Sequence, residues 1–99
     1  MDDREIKHRE SETRGMFYME DESGIVTQLT YAKKENGVML VDHTETRKSF
    51  EGQGLASVLL QHVVKYARKE NLKIDPLCPF VEVQFEMHPE YKDVLVEQS

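Results

Sequence analysis

Three groups of residues in this 99-residue chain could do chemistry. The first is Glu51-Gly52-Gln53-Gly54-Leu55-Ala56, a run of small residues immediately ahead of an amphipathic segment. Without Cβ atoms the backbone can turn sharply and approach a ligand closely. A helix beginning there leaves its first N–H groups unpaired and carries a partial positive charge at that end, and together these bind phosphate. A tight turn with no ligand would use the same glycines. The run is not a Walker A loop, since no Gly-Lys-Ser/Thr closes it, and it lacks the third glycine of a dinucleotide fingerprint. The second group is Cys78, between Leu77 and Pro79. A lone cysteine there is either a small buried hydrophobe or a thiolate, activated by a helix N-terminus, that accepts an acyl group. The third is His43, after Asp42, which is either a general base near working pH or a histidine bonded to backbone. His62 reads as a packed residue of an apolar stripe, and His88, before Pro89, as the end of a helix.

The elements that must position these residues change period midway. Met16 to Met19, Ile25 to Ala32 and Val38 to Thr46 are extended, which predicts three antiparallel strands. Phe17 and Met19 share one face of the first, and Ile25, Thr27, Leu29 and Tyr31 one face of the second. Asp21-Glu22-Ser23-Gly24 supplies the first turn, and Asn36-Gly37 is a strong hairpin signal because a type I′ turn takes positive φ at both central residues. Beyond the glycine run, Leu55, Val58, Leu59, His62, Val63 and Tyr66 recur at helical spacing and predict a helix with one buried stripe. Asn71 is placed to end it in the left-handed conformation. Lys73–Leu77 is short enough for a strand, and Phe80–Met87 predicts a second helix with Pro79 near its first turn. Pro89 interrupts it, and Tyr91 to Val96 is helical or irregular. Residues 1–13 are polar, either frayed or a short edge strand.

Composition narrows the class. A chain this short has room for one core, so residues 1–99 form a single domain. A net charge of −6 argues against a nucleic-acid surface, which needs clustered positive potential. Lys65, Arg68, Lys69 and Lys73 nevertheless cluster, and Arg47 and Lys48 precede the glycine run. That distribution suits either a small anionic ligand or an ordinary solvated helix face. No apolar run approaches the roughly 20 residues of a spanning helix. The polar N-terminus Met1-Asp2-Asp3-Arg4-Glu5 does not read as a signal peptide, so no membrane association and a cytoplasmic location are expected. One cysteine excludes an internal disulfide, and the histidines show no metal-ligand spacing, so no metal is expected.

The run His43-Thr44-Glu45-Thr46, then Gly52-Gln53-Gly54-Leu55-Ala56, then Pro76-Leu77-Cys78-Pro79-Phe80 and His88-Pro89-Glu90-Tyr91, resembles the short single-domain GNAT-like acetyltransferases. The resemblance covers Met16 to Leu95. It implies an α+β GNAT-like fold: three antiparallel strands, then a strand–loop–helix–strand unit with a splayed parallel pair, then a C-terminal helix. The superfamily's pyrophosphate loop reads Gln/Arg-x-x-Gly-x-Gly/Ala and falls here on Glu51, Gly52, Gln53, Gly54, Leu55 and Ala56. Gly54 and Ala56 match the pattern, and Glu51 departs from it. The resemblance implies acetyl-CoA as acetyl donor. Its pantetheine arm would fill the splay beside Thr44, Glu45 and Thr46, with the thioester near Cys78.

Two further departures concern the acceptor. GNAT domains carry two helices between their first strands, where this chain has only Asp21–Gly24. Many also place a tyrosine on the helix after the splayed strand, to protonate the leaving thiolate. Here that stretch reads Val83-Gln84-Phe85, and Tyr91 is the nearest substitute. The expected activity is acetyl transfer to an unidentified acceptor, a small amine or a protein, directly with His43 as base or through Cys78. A CoA-binding or protein-interaction module with little catalysis is the alternative.

Overall fold

The structure, a computed structural model, describes residues 4–96. Five strands form one sheet in sequence order: β1 (Lys7–Glu10), β2 (Arg14–Asp21), β3 (Gly24–Lys34), β4 (Val38–Thr46) and β5 (Lys73–Pro76). β1 to β4 are antiparallel neighbours, and β5 joins β4 in parallel through helix α1 (Leu55–Glu70). A second helix, α2 (Pro79–Met87), and a 3-10 turn, Pro89–Val94, complete the fold. The α+β class and the strand–loop–helix–strand unit are as expected. The antiparallel part has four strands rather than three, because Lys7–Glu10 pairs along β2. Of the N-terminal segment, residues 1–3 lie outside the described residues.

Local chemistry explains the boundaries. Asn36 and Gly37 both take positive φ, 64° and 71°, as expected, but Lys34 pairs with Val38 across a three-residue turn, Glu35–Gly37, one residue longer than a type I′ hairpin turn. Asn71 ends α1 in the left-handed conformation, its N–H and that of Leu72 closing back on the last turn, as a left-handed cap does. Pro79 opens α2, where a missing N–H costs nothing.

Both helices pack on one face of the sheet. Phe17, Leu29, Tyr31, Met39 and Val41 meet Leu59, Leu60, Val63 and Val64 of α1 and Val81 and Phe85 of α2 in one cluster. The expected stripe of α1 is rotated. Leu60, Val64 and Ala67 are buried, while Val58 and His62 are exposed. The 3-10 turn supplies the reason, since its Tyr91 and Val94 enter the same core and cover the flank that a sheet alone would leave wet. His62 keeps only an edge contact with Phe17, 5.6 Å between ring centres. Ile25 is also exposed, because a bulge at Val26 breaks the alternation of β3 and turns Val26 inward beside Met19 and Leu55.

Candidate active site

A second bulge shapes the site. Tyr31 pairs with Val41 and Thr30 with His43, which leaves Asp42 as an extra residue in β4. Such an insertion shifts the side-chain phase of the strand beyond it. Before the bulge, Met39 and Val41 face the helices; after it, Thr44 and Thr46 do, opposite Leu29 and Thr27. His43 and Glu45 consequently point to the face that carries no helix. Asp42 is held on that face by Thr30 Oγ1 at 2.8 Å and by both oxygens accepting from Arg14.

The same region is where the parallel pair opens. β4 pairs with β5 only from Val38 to Val41, and the N–H groups of Leu77 and Cys78 both converge on the Val41 carbonyl. Beyond that point β4 runs on to Thr46 with no β5 residue opposite. A cavity of about 390 Å³ fills the opening, between Thr44–Thr46 on one side and Gly52, Gly54, Leu55, Ala56 and Ser57 on the other, with Phe50 and Phe80 as apolar walls.

The glycine run forms one end of the cavity. Gly52 and Gly54 take φ of 84° and 74°, and Gly54 is the residue from which α1 starts. A Cβ at either position would project into open space. The N–H groups of Leu55, Ala56 and Ser57 have no hydrogen-bond partner among the described residues, and the first bond of the helix runs from Val58 N–H to Gly54 O. Three free donors at a helix N-terminus, with no side chain in front of them, fit a phosphate. Glu51 and Gln53 are exposed at the rim.

Arg47, expected from its position to favour an anion, is used structurally. Its guanidinium bonds both oxygens of Asp21 at 2.9 Å and the carbonyl of Gly24, and lies 5.3 Å from the centre of the Phe50 ring. It ties the β2–β3 turn to the entry of the loop.

Cys78 lies behind Thr44 of the cavity wall, 7% exposed, with Thr44 Oγ1 3.3 Å from its sulfur. Burial pushes the thiol pKa up, but the Thr44 hydroxyl and the N–H groups of Val81 and Phe80 at the start of α2 outweigh it and leave the pKa below the ordinary value. His43 is on the opposite face, its side chain 58% exposed and Nε2 3.4 Å from Glu45 Oε2. The structure thus joins Cys78 to Thr44, which lines the cavity opposite the loop, and shows no contact between Cys78 and His43. Tyr91 packs between Phe85 and His88 and lines a separate groove along α1, with Ser57, Gln61, Lys65 and Arg68. Sequence reasoning did not single out Thr44 as the partner of Cys78, nor Phe50 and Phe80 as walls. An aspartate inside an apolar strand was the one available sign of the bulge that aims Thr44 inward.

Residues 16–94 match the model of the GCN5-related N-acetyltransferase family. None of the curated proteins matches in sequence. The fold is shared with a GCN5-like protein from Staphylococcus aureus solved by NMR, at 34% identity and a TM-score of 0.74, covering all of this chain and 94% of that one. A ribosomal-protein-alanine N-acetyltransferase from Brucella melitensis biovar Abortus 2308 aligns at 14% identity and a TM-score of 0.62, over 90% of this chain and 66% of its own. The aminoglycoside N-acetyltransferase AAC(6′)-Iy, solved with CoA, aligns at 13% identity and a TM-score of 0.55, over 89% of this chain and 71% of its own. The chain belongs to the GCN5-related N-acetyltransferase family of acetyl-transferring enzymes.

Proposed function

We propose that the chain binds acetyl-CoA across the β4–β5 opening and transfers its acetyl group to an amine. The observation that carries this reading is the alignment of three features along one cavity. Free N–H groups stand at the start of α1, a stretch of β4 with no β5 partner forms the wall, and a buried thiol lies behind that wall against Thr44. In this reading the pyrophosphate lies on Gly52–Ala56, with Glu51 and Gln53 at its rim. The pantetheine arm runs beside Thr44, Glu45 and Thr46, pairing with main-chain groups as an added strand would. The groove bearing Lys65 and Arg68 adjoins the cavity at Ser57 and suits the nucleotide end.

The acetyl thioester then stands between two faces. On the helix-free face, His43 takes a proton from the incoming ammonium, and the free amine attacks the carbonyl. The C–N bond forms, the C–S bond breaks and CoA leaves as the thiol. Positioning supplies much of the rate, because the thioester is already activated. On the helix face, Cys78 offers the covalent route, in which its thiolate takes the acetyl group first and the amine second. No helix joins β1 to β2 or β2 to β3, so the acceptor reaches this site without the cover those connections would give. Glu51 favours a second reading, a CoA-binding module with slow turnover, since a carboxylate at the rim opposes the phosphates. We place the protein in the cytoplasm, where acetyl-CoA is available; among the described residues no helix is long and apolar enough to cross a membrane. Thiol release from acetyl-CoA in the presence of primary amines tests the reading. Release that rises with amine supports transfer, whereas binding without release supports the module.

A further inference from the structure

A second cavity is larger than the one at the glycine run. A groove of about 970 Å³ lies on the far side of β5, between that strand, α2 and residues 92–96. Its floor is apolar, made by Phe85, Leu95 and Leu77, the last 58% exposed and one residue before Cys78. Its rim is acidic. Glu82 and Glu86 stand one helical turn apart on α2, on either side of Phe85, and Asp75 lines the groove from β5. Lys92 is the single cation in the lining. None of the three carboxylates has a hydrogen bond or ion pair among the described residues, whereas Asp21, Asp42 and Asp93 each hold an arginine.

We propose that this groove seats a basic, lysine-bearing segment of a protein acceptor, whose reactive lysine passes Leu77 to reach the thioester. The proposal rests on the acetyl-transfer reading and adds the class of acceptor. Charge selects a cationic occupant, since three uncompensated carboxylates face one ammonium. The floor selects a peptide over a polyamine, because Leu77, Phe85 and Leu95 need apolar neighbours of the lysine to cover them. Main-chain pairing along β5 does not contribute: Val96 N–H already bonds Ile74 O at 2.9 Å, and Pro76 has no N–H. Side chains therefore hold the segment. α2 separates the groove from the acetyl-CoA cavity, with Phe80 lining one and Phe85 the other, so the lysine rounds the end of β5 at Leu77 to meet the thioester on the face where His43 stands. The lysine ammonium gives one proton to His43, its amine forms the amide C–N bond as the C–S bond breaks, and its second proton leaves with the CoA thiol.

The test uses a blocked, fluorescein-labelled peptide, Gly-Leu-Lys-Lys-Leu-Gly written twice, and its counterpart with Glu for Lys. Anisotropy on the full chain should show the lysine peptide binding at least tenfold more tightly than the glutamate one. Glu82→Lys/Glu86→Lys should weaken it about tenfold or more, and Asp75→Asn severalfold. Glu12→Lys/Glu22→Lys makes the same net-charge change on exposed residues far from the groove and should leave affinity within about twofold after correction for salt. Equal losses in both double variants would show net-charge attraction and overturn the proposal. Acetylation of spermine with a kcat/KM at or above that of the peptide would overturn it too. Acetyl-CoA affinity, titrated separately, should be the same in all variants. A chain that binds the peptide but not acetyl-CoA would refute the acetyl-transfer reading while leaving the groove's preference intact.

Discussion

Replacing Gly54 separates what its backbone needs from what its missing side chain allows. The residue sits at φ 74°, ψ 17° at the start of α1. Alanine in that conformation costs about 1–2 kcal/mol, and each kcal/mol lowers the midpoint of a domain this size by about 4–8 °C. Gly54→Ala should therefore melt roughly 4–16 °C lower. Asparagine tolerates the left-handed region, so Gly54→Asn should lose much less. No protein atom lies within 4 Å of the position a Cβ would take, so neither loss arises from a clash. Acetyl-CoA affinity should not follow this order. If phosphate oxygens rest on the N–H groups of Leu55, Ala56 and Ser57, either side chain stands in their way. Losing one charge-assisted hydrogen bond, about 1.5–3 kcal/mol, weakens binding by about 10- to 100-fold. Calorimetric titration beside thermal denaturation measures both quantities. Asn that is stable and binds as tightly as glycine would refute the placement of the phosphates, leaving Gly54 as a turn residue only.

Three more outcomes follow from the same geometry. Cys78 should react with iodoacetamide at a pH below that of free cysteine, because its pKa is lowered in the fold and thiolate is present earlier on the pH scale; Thr44→Val should move the profile upward. If the covalent route operates, intact mass after mixing with acetyl-CoA shows one hydroxylamine-labile acetyl group, absent in Cys78→Ala, and unimpaired transfer by that variant would assign the reaction to direct attack. Glu51→Arg should tighten acetyl-CoA binding by roughly two- to fivefold at low salt and less at high salt, and an unchanged dissociation constant would show that the side chain points away from the phosphates. Gly15→Ala should destabilise the chain by about 2–3 kcal/mol, since its Cβ would meet the buried Tyr31 ring at 2.3 Å and disturb the hydroxyl that contacts His8 and Glu10; a loss below about 1 kcal/mol by denaturant titration would show that the ring moves aside freely.

What the sequence disclosed was whatever one segment determines by itself. Asn36-Gly37, Asn71 and the glycine run ahead of Leu55 act through local backbone conformation, and each stands where its type requires. The features it concealed depend on partners distant in the chain. The face of α1 that is buried depends on Tyr91 and Val94, and Val58 and His62 are outside because those residues cover a different flank. Bulges at Val26 and Asp42 cannot be read from alternation, since each breaks the alternation on which such a reading relies. The Asp42 bulge also decides the site, turning Thr44 toward Cys78 and His43 away from it. Arg47 looked like an anion ligand because of its neighbours in sequence, whereas its partners are Asp21 and Gly24 across the sheet.

Whether the β4–β5 opening and the start of α1 form the acetyl-CoA site is read from amide chemical shifts followed during an acetyl-CoA titration. The largest changes should fall in residues 43–57 and 74–80, with the N–H signals of Leu55, Ala56 and Ser57 among them. Changes confined to residues 16–32, with those three signals unmoved at saturation, would contradict it.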